Sequence, residues 1–457
     1  MSVLDELARR GNTTAVVSEA GQFDYAELLG RVERYLARLA QQGVGAGAIV
    51  GVEIADEVEH LIASLALIAA GAHHITLATH DPPAVRSELA GRVGVTHVVG
   101  QGAEVTRRNA VFAAEGEGEG GVYLKTSGTT GGMNIIAFTA AQLAAQALRH
   151  PEYSTERLLR LASIEHNNSK RHRLYCMLMG GTNVFRPPGD FDEAAFCARH
   201  RVTCLDISRM HASNLAAQDR PGRFEGTKLR TGGSAIPIDV RRAVEQRVTP
   251  LLYVRYASTE SGAIAMAGPG EHDEAESVGR PLPGVDLQIV GPDDQPLPRG
   301  ETGRIRLRAP GVATGYLDGG EQTAERFRDG WFWPGDVGML RADGSLIVQG
   351  RQDDMMVLNG LNIFPAEIER VLERHPDVSV AAALPLASRI HGQIPVAAVE
   401  LKAKATTSAA QLQAYAREHL ALRAPRRILV VEQLPRNSQG KIMRRAIAVL
   451  FEQRWQQ

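Results

Sequence analysis

The chain has 457 residues, 44% hydrophobic and 23% charged; this length exceeds one ordinary core and calls for a large domain with a smaller one, and the composition excludes disordered and fibrous classes. Lys and Arg total 51 against 52 Asp and Glu, a formal net charge of -1, so no overall field favours nucleic acid or an anionic membrane as a partner. Cys176, Cys197 and Cys204 lack close Cys-x-x-Cys spacing, which argues against a disulfide framework or structural zinc and for reduced, buried thiols.

The N-terminal residues contain no long apolar core, and the most apolar early segment, Leu61 to Ala72, is too short to cross a bilayer, so a cytoplasmic location is expected. From Tyr25 to Ala40, apolar residues at helical spacing end at Gly43 and predict a helix. Ala48 to Ile54 reads as a strand, Val58 to Ala70 as a helix and His74 to Leu77 as a strand, an order that implies a parallel α/β layout. The Gly/Glu run from Ala114 to Gly121 is a linker entering a strand, Val122 to Thr126. Short β-rich runs at Asp286 to Val290, Arg304 to Arg308 and Ser345 to Val348 predict a small β-subdomain. After Gly350 the pattern returns to mixed α/β, with helices at Ala366 to His375, Ala410 to Leu422 and Ile442 to Phe451, and strands near Ser379 to Leu384 and Val396 to Leu401. A domain boundary is expected near Arg351 to Asp354.

The strongest local signal is Lys125-Thr126-Ser127-Gly128-Thr129-Thr130-Gly131-Gly132, where hydroxyls and glycines follow a strand. Such a loop can turn backbone N–H groups and hydroxyls toward phosphate oxygens. No Gly-Lys-Ser/Thr follows at P-loop spacing, which disfavours kinase and GTPase chemistry.

This loop resembles the phosphate loop of the adenylate-forming superfamily, which includes acyl-CoA synthetases, peptide-synthetase adenylation domains and luciferases. Further blocks match in the family's order: Leu229 to Pro237, Tyr256-Ala257-Ser258-Thr259-Glu260, Gly335-Asp336, Gly350-Arg351-Gln352-Asp353-Asp354 through Gly360, and Pro435 to Lys441. The resemblance implies an α/β fold with a large N-terminal AMP-binding domain (1–351), built of α/β subdomains and a small β-subdomain. A small mobile α+β C-terminal domain (352–457) would carry the catalytic lysine.

The same resemblance assigns roles. Thr126, Ser127, Gly128, Thr129, Thr130 and Gly131 would hold the β- and γ-phosphates of ATP, and Thr259 the α-phosphate. Glu260 would hold Mg²⁺, as suits a hard carboxylate. Gly233 and Ser234 would flank the adenine and Tyr256 would also bind the nucleotide, with Asp336 and Arg351 on the ribose. Lys441 would neutralise charge as a carboxylate attacks the α-phosphate, a task for a compact ammonium on a flexible stem. Gly232, Ala257 and His166 would border the acid, Asp353 would be the hinge, and Gly360 would lie by the thiol tunnel.

Two positions depart from the family pattern. Asn134 stands where the loop lysine is expected, and Ala257 replaces a glycine, narrowing the acid pocket toward small, including aryl, acids. The expected reaction forms an acyl-AMP and then a thioester with CoA. The alternative acceptor is the phosphopantetheine of an acyl carrier protein, and a third reading is a nucleotide-binding regulator with degraded catalysis.

Overall fold

The computed structural model describes residues 2–108, 119–127, 133–218, 223–358, 361–388, 392–436 and 442–455. Helix Tyr25–Gln41 starts where Asp24 accepts the Glu27 N–H at 2.8 Å, and buries the stripe Tyr25, Leu28, Val32, Tyr35 and Leu39. The next unit is strand Ile49–Val52, helix Glu57–Ala69 and strand His73–Thr76; the two strands pair in parallel, as the predicted strand, helix, strand order requires.

These strands belong to a six-stranded sheet with His97–Val99 and Val105–Arg107 on one side. On the other lies a hairpin of β1 (Gly121–Ser127) and β2 (Met133–Thr139). A second, nine-stranded sheet has a parallel centre made of β3 (Arg157–Arg160), β4 (Cys204–Ile207), β5 (Lys228–Gly232) and β6 (Leu252–Ser258), and β6 turns back antiparallel into β7 (Gly262–Ala267). Helix α1 (Asn167–Met179) is buried along most of its length. It packs against the helix Glu57–Ala69 from the first sheet and against β3 of the second.

The predicted small β-subdomain is a separate sheet around Asp286–Val290 and Thr302–Arg308, and it includes β8 (Asp336–Leu340) and β9 (Leu346–Arg351). Beyond it a smaller domain has three strands, Val378–Ser388, Gly392–Leu401 and Arg427–Val431. Helices α2 (Pro365–Glu373), Ala409–Leu420 and Arg444–Trp455 complete it. The large N-terminal and smaller C-terminal domains of the sequence analysis are therefore present, and Cys176, Cys197 and Cys204 are free and buried as expected.

The smaller domain meets the larger one through polar contacts. Arg370 Nε on α2 donates to Glu276 Oε2 at 2.8 Å, and Arg209 Nη2 donates to Glu373 Oε1 at 2.5 Å. A cavity of about 790 Å³ opens at this junction, lined in part by Arg304, Gln352, Phe364 and Arg423; none of the described candidate site residues lines it. Among the described residues no helix is long and apolar enough to cross a membrane.

Candidate functional site

In parallel α/β sheets, ligands sit at the carboxyl ends of the strands, and here β5 and β6 end in two of the sequence blocks. Leaving β5, Gly232 brings its backbone against β6: an added Cβ would lie 2.8 Å from the Arg255 carbonyl oxygen. Gly233 follows with φ +86°, a left-handed turn that suits glycine, and Ser234 is exposed beside it. Leaving β6, Ala257 and Ser258 lead to Thr259 and Glu260 in the turn before β7.

That turn is pinned from α1. Arg171, 4% exposed, donates from Nη1 to the Thr259 carbonyl at 2.6 Å and from Nη2 to the Ser258 carbonyl at 3.2 Å. Glu260 Oε1 accepts the Tyr316 hydroxyl at 2.9 Å, and the Glu260 carbonyl accepts the Ala313 N–H at 2.9 Å. Burial, reinforced by the Glu260 charge, raises the Tyr316 pKa, so the phenol stays a donor. Among the described residues no group of three His, Cys, Asp or Glu could hold a metal. A single half-buried carboxylate such as Glu260 nevertheless fits Mg²⁺, which takes one or two carboxylates and completes its shell with substrate oxygens and water.

On the other side of β6, the Tyr256 hydroxyl donates to Asp336 Oδ2, and Arg351 Nη1 lies 3.6 Å from Asp336 Oδ1. Burial raises the Asp336 pKa, with Arg351 and then Tyr256 pulling it back. Gly335 precedes it at φ +79°, where any side chain would run into the Arg326 guanidinium. Arg326 Nη2 in turn donates to Asp353 Oδ2 at 2.8 Å, and Arg351 Nη2 reaches the same oxygen at 3.4 Å. A buried carboxylate beside a guanidinium suits a sugar diol, which can donate to one and accept from the other.

The first sheet approaches from the α1 side. Asn167 Nδ2, in the first turn of α1, donates to the Lys125 carbonyl on β1 at 2.5 Å. His166 is the N-cap of α1, with its ring 5.4 Å from that of His80. Burial and then the neighbouring His80 lower its pKa, which favours neutral imidazole. Thr126 pairs with Asn134, and Ser127 with Met133, across the hairpin. Asn134 and Tyr316 share a small cavity of about 150 Å³. The nearest cation in sequence that could replace the missing loop lysine, Lys125, is engaged with Asp81 at 3.0 Å.

The structure thus gathers Thr259, Glu260, Tyr256, Asp336, Arg351 and Asp353 along one connected path, and α1 ties that path to Lys125 and His166. The expected phosphate-loop residues Gly128, Thr129, Thr130 and Gly131, together with Gly360 and Lys441, lie outside the described residues. Sequence reasoning missed Arg171 and Tyr316. Arg171 sits in a polar stretch without helical periodicity, and nothing near Tyr316 in the sequence marks its contact with a residue 56 positions away.

Comparison with known proteins follows this geometry. The model of the AMP-binding enzyme family matches residues 4–125 and 122–317, and that of the AMP-binding enzyme C-terminal domain matches residues 367–441. The chain belongs to this family. It is 35% identical over 259 residues to a 2-succinylbenzoate–CoA ligase of Geobacillus kaustophilus, covering 55% of this chain and 52% of that protein. It is 30% identical over 329 residues to an indoleacetate–CoA ligase of Aromatoleum aromaticum, covering 69% and 64%. The match therefore spans about half to two thirds of the length of these curated relatives. ATP-bound MatB from Rhodopseudomonas palustris superposes over 100% of both chains with a TM-score of 0.85 at 24% identity, which shows the shared fold.

Proposed function

We propose that the chain activates a small carboxylic acid with ATP, forming an acyl-AMP and releasing pyrophosphate, and then transfers the acyl group to CoA. The observation that carries this reading is the connected path from Tyr256 and Asp336 through Glu260 and Thr259 to α1, which joins four sequence-distant blocks. Membership of the family and likeness to two CoA ligases support it. The domain boundary is proposed at 351/352, with Asp353 as the hinge between the two half-reactions.

A carboxylate is a weak nucleophile, so the protein's contribution is alignment and charge neutralisation. Thr126, Ser127, Gly128, Thr129, Thr130 and Gly131 would bind the outer phosphates, and Thr259 the α-phosphate. Gly233, Ser234 and Tyr256 would bracket the adenine; Asp336 and Arg351 would orient the ribose. Lys441 would steady the charge shared by the incoming carboxylate and the phosphate. Glu260 would hold Mg²⁺, which supplies charge neutralisation on phosphate oxygens when bound. Gly232, Ala257 and His166 would border the acid, and Gly360 would lie beside the entering thiol.

Acid-dependent exchange of pyrophosphate into ATP, screened over small carboxylic acids and followed by addition of CoA or a phosphopantetheine carrier protein, tests the reading. Exchange with at least one acid and acylation of CoA are expected. Adenylation with acyl transfer only to a carrier protein would move the acceptor to that alternative, and no exchange with any acid would favour a nucleotide-binding regulator. Tyr316→Phe, which removes the donor to Glu260, is expected to raise the Mg²⁺ concentration for half-maximal exchange by about fivefold, the loss of roughly one hydrogen bond worth about 1 kcal/mol. The rate at saturating Mg²⁺ should stay close to wild type; an unchanged Mg²⁺ titration would separate Tyr316 from the metal role.

A further inference from the structure

The nine-stranded sheet buries an unusual row of charge. Cross-strand register sets Arg160 of β3 beside Asp206 of β4, Asp206 beside Arg230 of β5, and Gly232 of β5 beside Arg255 of β6. Directly paired residues share a face, and Arg230 and Gly232 are two apart on one strand, so all of them lie on the same face. Parallel central strands are normally apolar on both faces. Here Arg160, Asp206, Arg230 and Arg255 are each at most 6% exposed.

The ion pairs in this row leave one cation over. Asp206 receives Arg160 Nη1 on one oxygen and Arg230 Nε, at 2.6 Å, on the other. Glu156 takes Arg230 Nη1 at 3.4 Å and Lys228 at 3.5 Å. Arg255 forms no ion pair with any described carboxylate, and its Nε and Nη1 have no hydrogen-bond partner among the described residues. The Tyr153 hydroxyl, 2.7 Å from His172 Nδ1, can accept from Arg255 through its oxygen, but it is neutral and leaves the guanidinium charge unmatched. A guanidinium does not lose its proton in a protein, so it cannot escape burial by becoming neutral as a lysine can. A permanently charged, buried group with no carboxylate partner, at the edge of a ligand site, is suited to receive an anion.

Its position says which anion. Arg255 adjoins Gly232, with Nε 3.6 Å from where a Cβ at Gly232 would lie, and it precedes Ala257 by two residues on the strand that runs into Thr259 and Glu260. Resting on the adenylation reading, the geometry points to a substrate that carries a second anionic group: one carboxylate is activated near Thr259, and the other oxyanion binds the Arg255 guanidinium. Arg255 is then a specificity-determining residue, able to receive a carboxylate bidentately. The neighbouring Gly232 and Ala257 keep the distance between the two ends short.

The test compares matched pairs of acids, among them butyrate with succinate, benzoate with phthalate, and propionate with sulfoacetate, in wild type, Arg255→Met and Arg255→Lys. Two readouts are used: pyrophosphate exchange, and the shift in thermal unfolding midpoint caused by the acid alone. Wild type is expected to prefer at least one dianionic acid over its monoanionic partner by roughly a hundredfold or more in kcat/KM, since a site built around a buried polar group rejects analogues that leave it unpaired. Arg255→Met should abolish that preference while keeping or improving exchange with the monoacids, and Arg255→Lys should restore part of it. The sulfonate pair separates recognition of any oxyanion from recognition of carboxylate alone.

If monoacids exchange well while no dianionic acid binds or reacts better, the Arg255 inference is overturned and the activation reading stands. If no acid exchanges but dianionic acids shift the unfolding midpoint only when Arg255 is present, the receptor stands and activation falls. Equal loss of both acid classes in a folded Arg255→Met protein would make the residue purely structural.

Discussion

Replacing Lys170 by methionine is expected to stabilise the protein by about 2–4 kcal/mol near pH 7, each unit of pKa displacement being worth about 1.4 kcal/mol. Lys170 lies in α1, 1% exposed, and its Nζ has no hydrogen-bond partner among the described residues. Burial pulls its pKa from 10.5 down to about 7, with Glu165 opposing the shift. The buried His60 and His74 that face it are also driven toward the neutral form by burial and by the Lys170 charge. The unfolded chain therefore holds a proton on Lys170 that the folded chain gives up between pH 7 and 10.5. Stability should climb through that window as pH rises, and the full cost is present below pH 7. Below about 6.5, His60 and His74 add their own loss, because they too take up protons more readily when unfolded. Methionine keeps the length of the side chain without the charge. Urea unfolding followed by circular dichroism across pH 7 to 10 reads both effects. A methionine variant less stable than wild type at pH 7, or one with the same pH slope, would refute the account.

Lys441→Ala is expected to lower acid-dependent pyrophosphate exchange by about 10²- to 10³-fold, the range for removing one preorganised group that neutralises charge in the transition state. The binding of ATP should weaken far less, because the attacking carboxylate and the α-phosphate share this charge only as the bond forms. The acceptor half-reaction gives a separate measure. Thioester formation from a chemically prepared acyl-adenylate should continue in the variant, since the proposed role of Lys441 belongs to the first step. Equal losses in both half-reactions would assign Lys441 a structural role, and unchanged exchange would remove it from the reaction.

What the sequence disclosed and what it concealed follow one physical division. Patterns that local periodicity controls were legible. The predicted helix Tyr25 to Ala40 appears as Tyr25–Gln41, and the predicted helix Ala366 to His375 as Pro365–Glu373, because each carries an apolar stripe and a clear end signal. The blocks around Thr259, Glu260, Asp336 and Arg351 were legible through their order, and tertiary contacts then bring them together. Helix α1 was not legible. Its Asn-Asn-Ser-Lys-Arg-His-Arg start has no amphipathic period, yet Ser169 to Met177 are all buried. Partners that lie far away in sequence account for this: Arg173 reaches Glu57, and Arg171 reaches Thr259. Periodicity reports which side of a helix avoids water, and it is silent when buried charges are satisfied by other strands and loops. The lack of a carboxylate partner for Arg255 was hidden for the same reason, because it depends on how Asp206 and Glu156 are divided among their neighbours.

The contact between the two domains has its own consequence. Glu276 and Glu373, each with side chains only 6% exposed, meet Arg370 and Arg209 across the junction. Charged surfaces that part can trade one another for water with little net change, whereas a greasy seam would hold the domains shut or invite aggregation once opened. Such ion pairs behave like a wet clutch: they give the small domain a preferred seat and let it slip free during the proposed turn about Asp353.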